Sequence, residues 1–351
     1  MPRLICCAAL LVTLLTGGCN RVSPINEARA ENRLLITVGS EPATLDPHRN
    51  TGAPEGYIIS ALWEPLIDWN EEATGYVPAA AASWEISADA RTYTFHLRPD
   101  AQWSNGDPVT AKDWVRSWQR WLTPDLAAEL SSFADPVVGA SDFRNGKTDD
   151  PASVGIRAID PLTLEIELIE PDVKFLDGLT SYPWVPVHEP SVTAAGGFFN
   201  PRADFTRPGV LVSNGPYVLS DWKHGQYVEV ARNPRYHRKT KLSSIRFVSM
   251  ENTDTMERSF RSGQLHITDS VPASKMDVYR EAQDPALLTY PRIGTRYLSF
   301  NTTRAPFDDA RVRRAFALAL NRQQLVEVVL RTGGRPAYSF VGPIPGKYEP
   351  T

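Results

Sequence analysis

The chain has 351 residues, of which 42% are hydrophobic, and carries a formal charge of −4 at neutral pH. That length can fill two lobes. The acidic balance sets aside a nucleic-acid partner, because a phosphate backbone demands a concentrated positive surface.

At the N-terminus, Met1-Pro2-Arg3 is a short basic start, and Leu4 to Leu15 is apolar apart from Thr13. About a dozen apolar residues fall short of the roughly 20 that span a bilayer, but they suit a secretory signal over 1–18. The ending Leu15-Thr16-Gly17-Gly18-Cys19 resembles the bacterial lipobox, with Thr16 where Leu is commonest. That resemblance implies acylation of Cys19 and attachment to a membrane, where each buried CH₂ contributes about 0.8 kcal/mol. A plain cleaved signal stays open beside it. Cys6 and Cys7 would leave with the signal, so Cys19 would have no disulfide partner. Asn20 to Asn32 is polar and without periodicity, and is expected to form a flexible tether over 19–33.

Leu34 to Val38 reads as a strand, and Tyr57 to Trp63 as helical. Thr92 to Leu97 alternates with period two, as a half-buried strand does. In Ala101 to Trp121, Asn105-Gly106 before Pro108 signals a tight turn. Thr110 and Asp113 have the spacing of a helix-capping pair. Trp114, Trp118 and Trp121 follow at i, i+4 and i+7, a spacing that buries one helical face. Lys112, Arg116 and Gln119 fall largely elsewhere on the wheel. Further strands are expected at Thr163–Leu168, Tyr217–Leu219, Tyr227–Val230 and Ile245–Val248, with Trp222 to Gly225 as a loop. Helices are expected at Asp254–Arg261 and Asp309–Leu320, the latter with Asp308 and Asp309 at its positive end. The fold class is mixed α/β.

No catalytic or nucleotide motif is present: His-Glu-x-x-His, Gly-x-Ser-x-Gly and Gly-x-Gly-x-x-Gly are all missing. Arg144 to Thr148 touches the phosphate-loop pattern, but Ser141 stands where its first glycine belongs. The six histidines lack metal-ligand spacing, so neither a metal nor a cofactor is expected. A glycosidase-like carboxylate pair stays open. Arg311, Arg313 and Arg314 adjoin Asp308 and Asp309 and read as a solvated helix face.

Taken together, several segments resemble the oligopeptide-binding proteins of bacterial ABC importers, in family 5 of the extracellular solute-binding proteins. The segments are Glu41-Pro42, Leu45-Asp46-Pro47-His48, Tyr93 to Arg98, Trp103 to Ala111, Ser117-Trp118-Gln119-Arg120, Asn214-Gly215-Pro216-Tyr217, Arg232-Asn233-Pro234, Arg261-Ser262-Gly263, Ala305-Pro306-Phe307 and Arg311-Val312-Arg313. The resemblance implies a two-lobed periplasmic-binding-protein clamshell. Lobe one would comprise 34–66 and 182–292, an extra domain 67–181 would be inserted in it, and 293–351 would begin an incomplete lobe two.

It also implies capture of oligopeptides for the importer's permease subunits, by a monomer at the periplasm or cell surface that is no enzyme. By position, Thr51 and Ala53 occupy the family's ligand-side loop, and Asp269, Ser270 and Tyr297 fall on segments that approach the cleft. The family usually carries an acidic residue where Thr51 stands, and Leu130 replaces a family tyrosine. Family members continue past the equivalent of Thr351 and carry there the acidic partner of the peptide's α-ammonium, so the 351-residue chain alone is expected to show no tight peptide binding. Alternatives are a murein peptide, metal chelate or other solute on the same scaffold, an extracytoplasmic hydrolase, or a lipoprotein presenting solute to a sensor.

Overall fold

A computed structural model describes residues 23–290 and 294–343. The chain falls into two compact units, one running to Asp269 and the other starting at Ser270.

The first unit opens with α1 (Pro24–Ala30) and β1 (Arg33–Thr37). Then come α2 (Ala53–Leu62), the hairpin β2 (Ile67–Trp69) and β3 (Tyr76–Pro78), β4 (Ala81–Ile86) and β5 (Thr92–Leu97). After α3 (Ala111–Leu122) and α4 (Ala140–Arg144), β6 (Ile156–Asp160) and β7 (Thr163–Glu167) complete the second sheet. Helices α5 (Phe175–Leu179) and α6 (Glu189–Ala194) lead to β8 (Tyr217–Lys223), β9 (Tyr227–Arg232), β10 (Ser244–Val248) and α7 (Thr253–Arg261).

One four-stranded sheet has the order β1-β10-β9-β8, with only the β1–β10 pair parallel. The other is antiparallel in the order β4-β5-β7-β6. One hydrophobic core runs through both, from Phe247 and Val228 to Phe95 and Trp118. Its second-sheet part follows from alternation. Tyr93 pairs with Ile166 and Phe95 with Leu164, and all four are buried, while Thr92, Thr94 and His96 between them stay part-exposed.

Helix α3 lies over β6 and β7. The Asp113 carboxylate accepts from both the backbone N–H and the hydroxyl of Thr110, at 2.7 and 2.9 Å, which pins the start of the helix. Trp114, Trp118 and Trp121 are fully buried. The wheel misses one feature. Lys112 is exposed, but Ser117 to Leu122 are buried on every side, Gln119 and Arg120 included. The segment 184–198 covers the face opposite the sheet: the Trp118 indole donates to the Trp184 carbonyl, and Ser117 Oγ pairs with the backbone of Val187.

Two further expectations are corrected. Strand β8 continues through Trp222 and Lys223, so the hairpin loop is shorter than Trp222 to Gly225. Pro24 to Ala30 within the expected tether is helical, because Ile25 and Ala28 lie one turn apart and pack on Leu35 and Leu265. Cys19 and the signal segment lie outside the described residues.

The motif Asn214-Gly215-Pro216-Tyr217 ties the end of α2 to the first sheet. Gly215 N donates to the Leu62 carbonyl at 2.8 Å, and the Asn214 amide bonds both backbone groups of Glu64. A Cβ on Gly215 would sit 2.5 Å from the Leu62 carbonyl atoms. Gly215→Ala is therefore expected to lower unfolding stability by about 2 kcal/mol or more in urea titration. Unchanged stability would show that the two segments can part freely.

The second unit contains α8 (Met276–Glu281) and α9 (Ala310–Ala319). Asp309 caps α9 by accepting from Arg311 N at 2.8 Å, and Arg311 lies exposed on the solvated face. Phe300, Phe307 and Phe316 cluster against one another, while Leu318 is 76% exposed.

Candidate functional site

The strongest polar constellation of the first unit joins two of the segments quoted above. Arg120, at the buried end of α3, makes a two-pronged ion pair with Asp46: Nη2 to Oδ2 at 2.6 Å and Nη1 to Oδ1 at 3.1 Å. Its Nε donates to the Phe198 carbonyl, and Nη1 also meets His48 Nδ1 at 2.9 Å. Guanidinium has only donors, so His48 Nδ1 accepts and its Nε2–H donates to the Val185 carbonyl at 3.1 Å. Burial alone would raise the Asp46 carboxyl, but the Arg120 charge and its hydrogen bonds outweigh burial and hold it below its usual value. Burial first, and the Arg120 charge second, push His48 down to about 3.

Both shifts make the joint acid-sensitive. The folded chain keeps His48 neutral where the unfolded chain takes up a proton, so this stability is complete above pH 6.5. It then falls by up to about 1.4 kcal/mol per pH unit as pH drops towards 3. The depressed Asp46 adds stability that is present above its unfolded value of 3.8 and lost as pH falls through its folded one. His48→Asn should flatten the slope of unfolding free energy between pH 6.5 and 4. Identical slopes in urea titrations of the two proteins would contradict the assignment.

The expected ligand-side residues fall in both units. Thr51 and Ala53 are exposed at the N-terminus of α2, in a loop closed by Asn50, whose amide bonds both backbone groups of Gly52. The carboxylate of this stretch is Glu55 rather than position 51. It is buried, it accepts from Ala43 N at 2.7 Å, and it occupies the space that a Cβ at position 52 would take. Asp269, the last residue of the first unit, is exposed and bonded to Thr37 at the end of β1. Ser270 and Tyr297 belong to the second unit, where Tyr297 is 65% exposed and stands edge-on to Phe340. Leu130 is half-buried on a 3₁₀ turn. Sequence reasoning missed the Arg120–Asp46–His48 joint, although its quoted segments contain all three residues.

Among the described residues, no three His, Cys, Asp or Glu side chains group as a metal site. His188 forms a relay-like pair with Asp107 at 2.9 Å, but its Nδ1 accepts from Ser191 N and caps α6, so the ring is structural.

Residues 75–351 match the family model of bacterial extracellular solute-binding proteins, family 5 (middle). The periplasmic murein peptide-binding protein MppA of Escherichia coli K12 is 32% identical over 349 residues, covering 98% of this chain and 63% of that protein. The periplasmic oligopeptide-binding protein OppA of the same organism is also 32% identical, covering 97% of this chain and 63% of its own length. The structure of E. coli MppA superposes with a TM-score of 0.85 at 32% identity, covering 91% of this chain and 62% of that one. That of Haemophilus influenzae OppA in complex with RPPGFSPFR gives a TM-score of 0.84 at 32% identity, covering 89% of this chain and 60% of the other. The chain thus spans about 63% of the length of the curated relatives it matches. With its mixed α/β sheets and the family match over residues 75–351, the chain belongs to the family 5 bacterial extracellular solute-binding proteins.

Proposed function

We propose that the protein captures oligopeptides outside the cytoplasm and delivers them to the permease subunits of an ABC importer, without altering their covalent bonds. The observation that carries this reading is the TM-score of 0.84 with a relative solved around a bound nonapeptide. A peptide presents a repeating array of backbone donors and acceptors, so strand-like pairing supplies affinity without reading side chains. Wet, roomy pockets then accept varied residues, because bridging waters are nearly as good as direct bonds. Neither step needs a nucleophile or a cofactor.

On this reading Thr51, Ala53, Asp269, Ser270 and Tyr297 line the ligand side, and 67–181 is a domain inserted in the first lobe. The protein works as a monomer held by lipid on Cys19 at the periplasmic or cell-surface face of a membrane. A second reading, a murein peptide as ligand, is favoured by the equal likeness to MppA, with a TM-score of 0.85. Native mass spectrometry of the protein purified from its host separates them. Mixed retained masses of short peptides support the first reading, and one murein tripeptide mass supports the second. A retained non-peptide solute, or turnover of added peptide, would reject both.

A further inference from the structure

We infer that His266 is a proton-operated latch: its neutral ring holds residues 266–269, the closing stretch of the first unit, on the edge of β1, and a proton on that ring releases them. Strand β1 ends the first sheet and pairs with β10 on one side. Its other side would leave backbone groups bare, and Leu35 is only 6% exposed, so water has little access to them. The closing stretch covers that side. His266 N and Ile267 N donate to the Leu35 carbonyl at 2.9 and 3.3 Å, and Thr37 N donates to the Ile267 carbonyl at 3.3 Å. Ile36 and Ile267 form a parallel bridge. One bond departs from a ladder: Leu35 N donates to His266 Nδ1 at 3.0 Å, a side chain standing where a strand would offer a carbonyl.

A backbone N–H only donates, so Nδ1 accepts and the ring proton sits on Nε2. A second proton would fall on Nδ1, setting two N–H groups face to face and stranding a buried donor. The ring is half-buried, so solvent can protonate it without unfolding the unit. Burial first, and the charge of Arg29 on the last turn of α1 second, hold His266 below its usual 6.5. The charges on adjoining elements are engaged: Arg33 with Glu31 at 2.7 Å, Glu257 with Arg261 at 3.9 Å, and Asp269 Oδ1 accepting from Thr37 Oγ1 at 2.7 Å. The stability supplied by the neutral ring is therefore complete above pH 6.5 and declines as pH falls towards the lowered folded value. Upstream, Leu265 packs with Ala28 and Leu35 in an apolar cluster that does not titrate, which confines the release to 266–269. That stretch leads directly into Ser270 of the second unit, so the latch acts on the passage of the chain from one unit to the next.

The test uses the whole chain and needs no ligand, so it stands apart from the peptide-binding reading. Ring-nitrogen NMR at about pH 8 should show Nε2 protonated and Nδ1 bare. On acidification the ring and the Leu35 amide should titrate together, with a midpoint below 6.5. Hydrogen exchange should show protection of the Leu35 and Ile267 amides falling by up to about tenfold per pH unit below that value, beyond any fall at Phe95 in the second sheet. His266→Asn offers an acceptor oxygen that does not titrate, so its ratio of Leu35 to Phe95 protection should be independent of pH. A proton on Nδ1 at about pH 8, or a midpoint at or above 6.5, would overturn the latch. So would a constant Leu35-to-Phe95 ratio down to about pH 5 in the wild type, a result that needs no variant. A His266→Asn protein as pH-sensitive as the wild type would assign the release to another group, His48 included, and overturn it as well.

Discussion

Replacing Arg120 by Met should cost about 3–5 kcal/mol of unfolding free energy, the loss typical when one partner of a buried ion pair is removed. The two side chains are 1% and 6% exposed, so water cannot take over solvation of the abandoned Asp46. Two further groups lose their donor, the Phe198 carbonyl and His48 Nδ1, and Asp46 Oδ1 keeps only the His48 backbone N–H at 3.1 Å. Methionine keeps most of the stem volume, so the loss reports polarity and not a cavity. Removing Asp46 as well, by Asp46→Asn in the same protein, should return part of the loss, since the uncompensated charge is gone. A double-mutant cycle in urea, with both single variants, measures the coupling between the two side chains. A loss below about 1 kcal/mol for Arg120→Met would mean that water or another cation reaches Asp46, and that the joint does not hold the two segments together.

Trp121→Ala is expected to cost a comparable 3–5 kcal/mol, for an unrelated reason. The ring is fully buried, edge-on to Trp184 at 5.0 Å and stacked near His48 at 6.3 Å, so truncation opens a cavity in the layer between α3 and the segment that covers it. Lys112→Ala on the exposed side of the same helix should change stability by less than about 0.5 kcal/mol. Chemical unfolding of the three proteins side by side gives the comparison. Should Trp121→Ala unfold at the wild-type denaturant concentration while peptide affinity collapses, the ring would be a ligand contact and not part of the core.

The two experiments probe one place from its polar and its apolar side. Trp121 and Arg120 are consecutive, and both engage His48: one by ring stacking, the other by a hydrogen bond. The last turn of α3 is therefore enclosed on all sides, although its amino-terminal half is amphipathic.

Much of this architecture is legible in the residues alone. The alternation of Thr92–Leu97, the tight turn at Asn105-Gly106 and the Thr110–Asp113 cap all act within a few residues. Backbone pitch converts such spacings directly into faces, turns and helix ends. The tryptophan stripe is readable for the same reason. The partner of Arg120 is not: it lies 74 residues upstream, and nothing local distinguishes this arginine from Arg116, which is part-exposed and pairs with Glu189. Helix α1 is hidden in the same way, because Ile25 and Ala28 form too small a stripe to stand out until Leu35 and Leu265 cover it. The Thr37 clamp on Asp269 spans 232 residues. Short-range steric and hydrogen-bond preferences write the elements into the sequence, whereas the pairing of buried charges and the aim of a carboxylate depend on which distant segments packing brings within 3 Å.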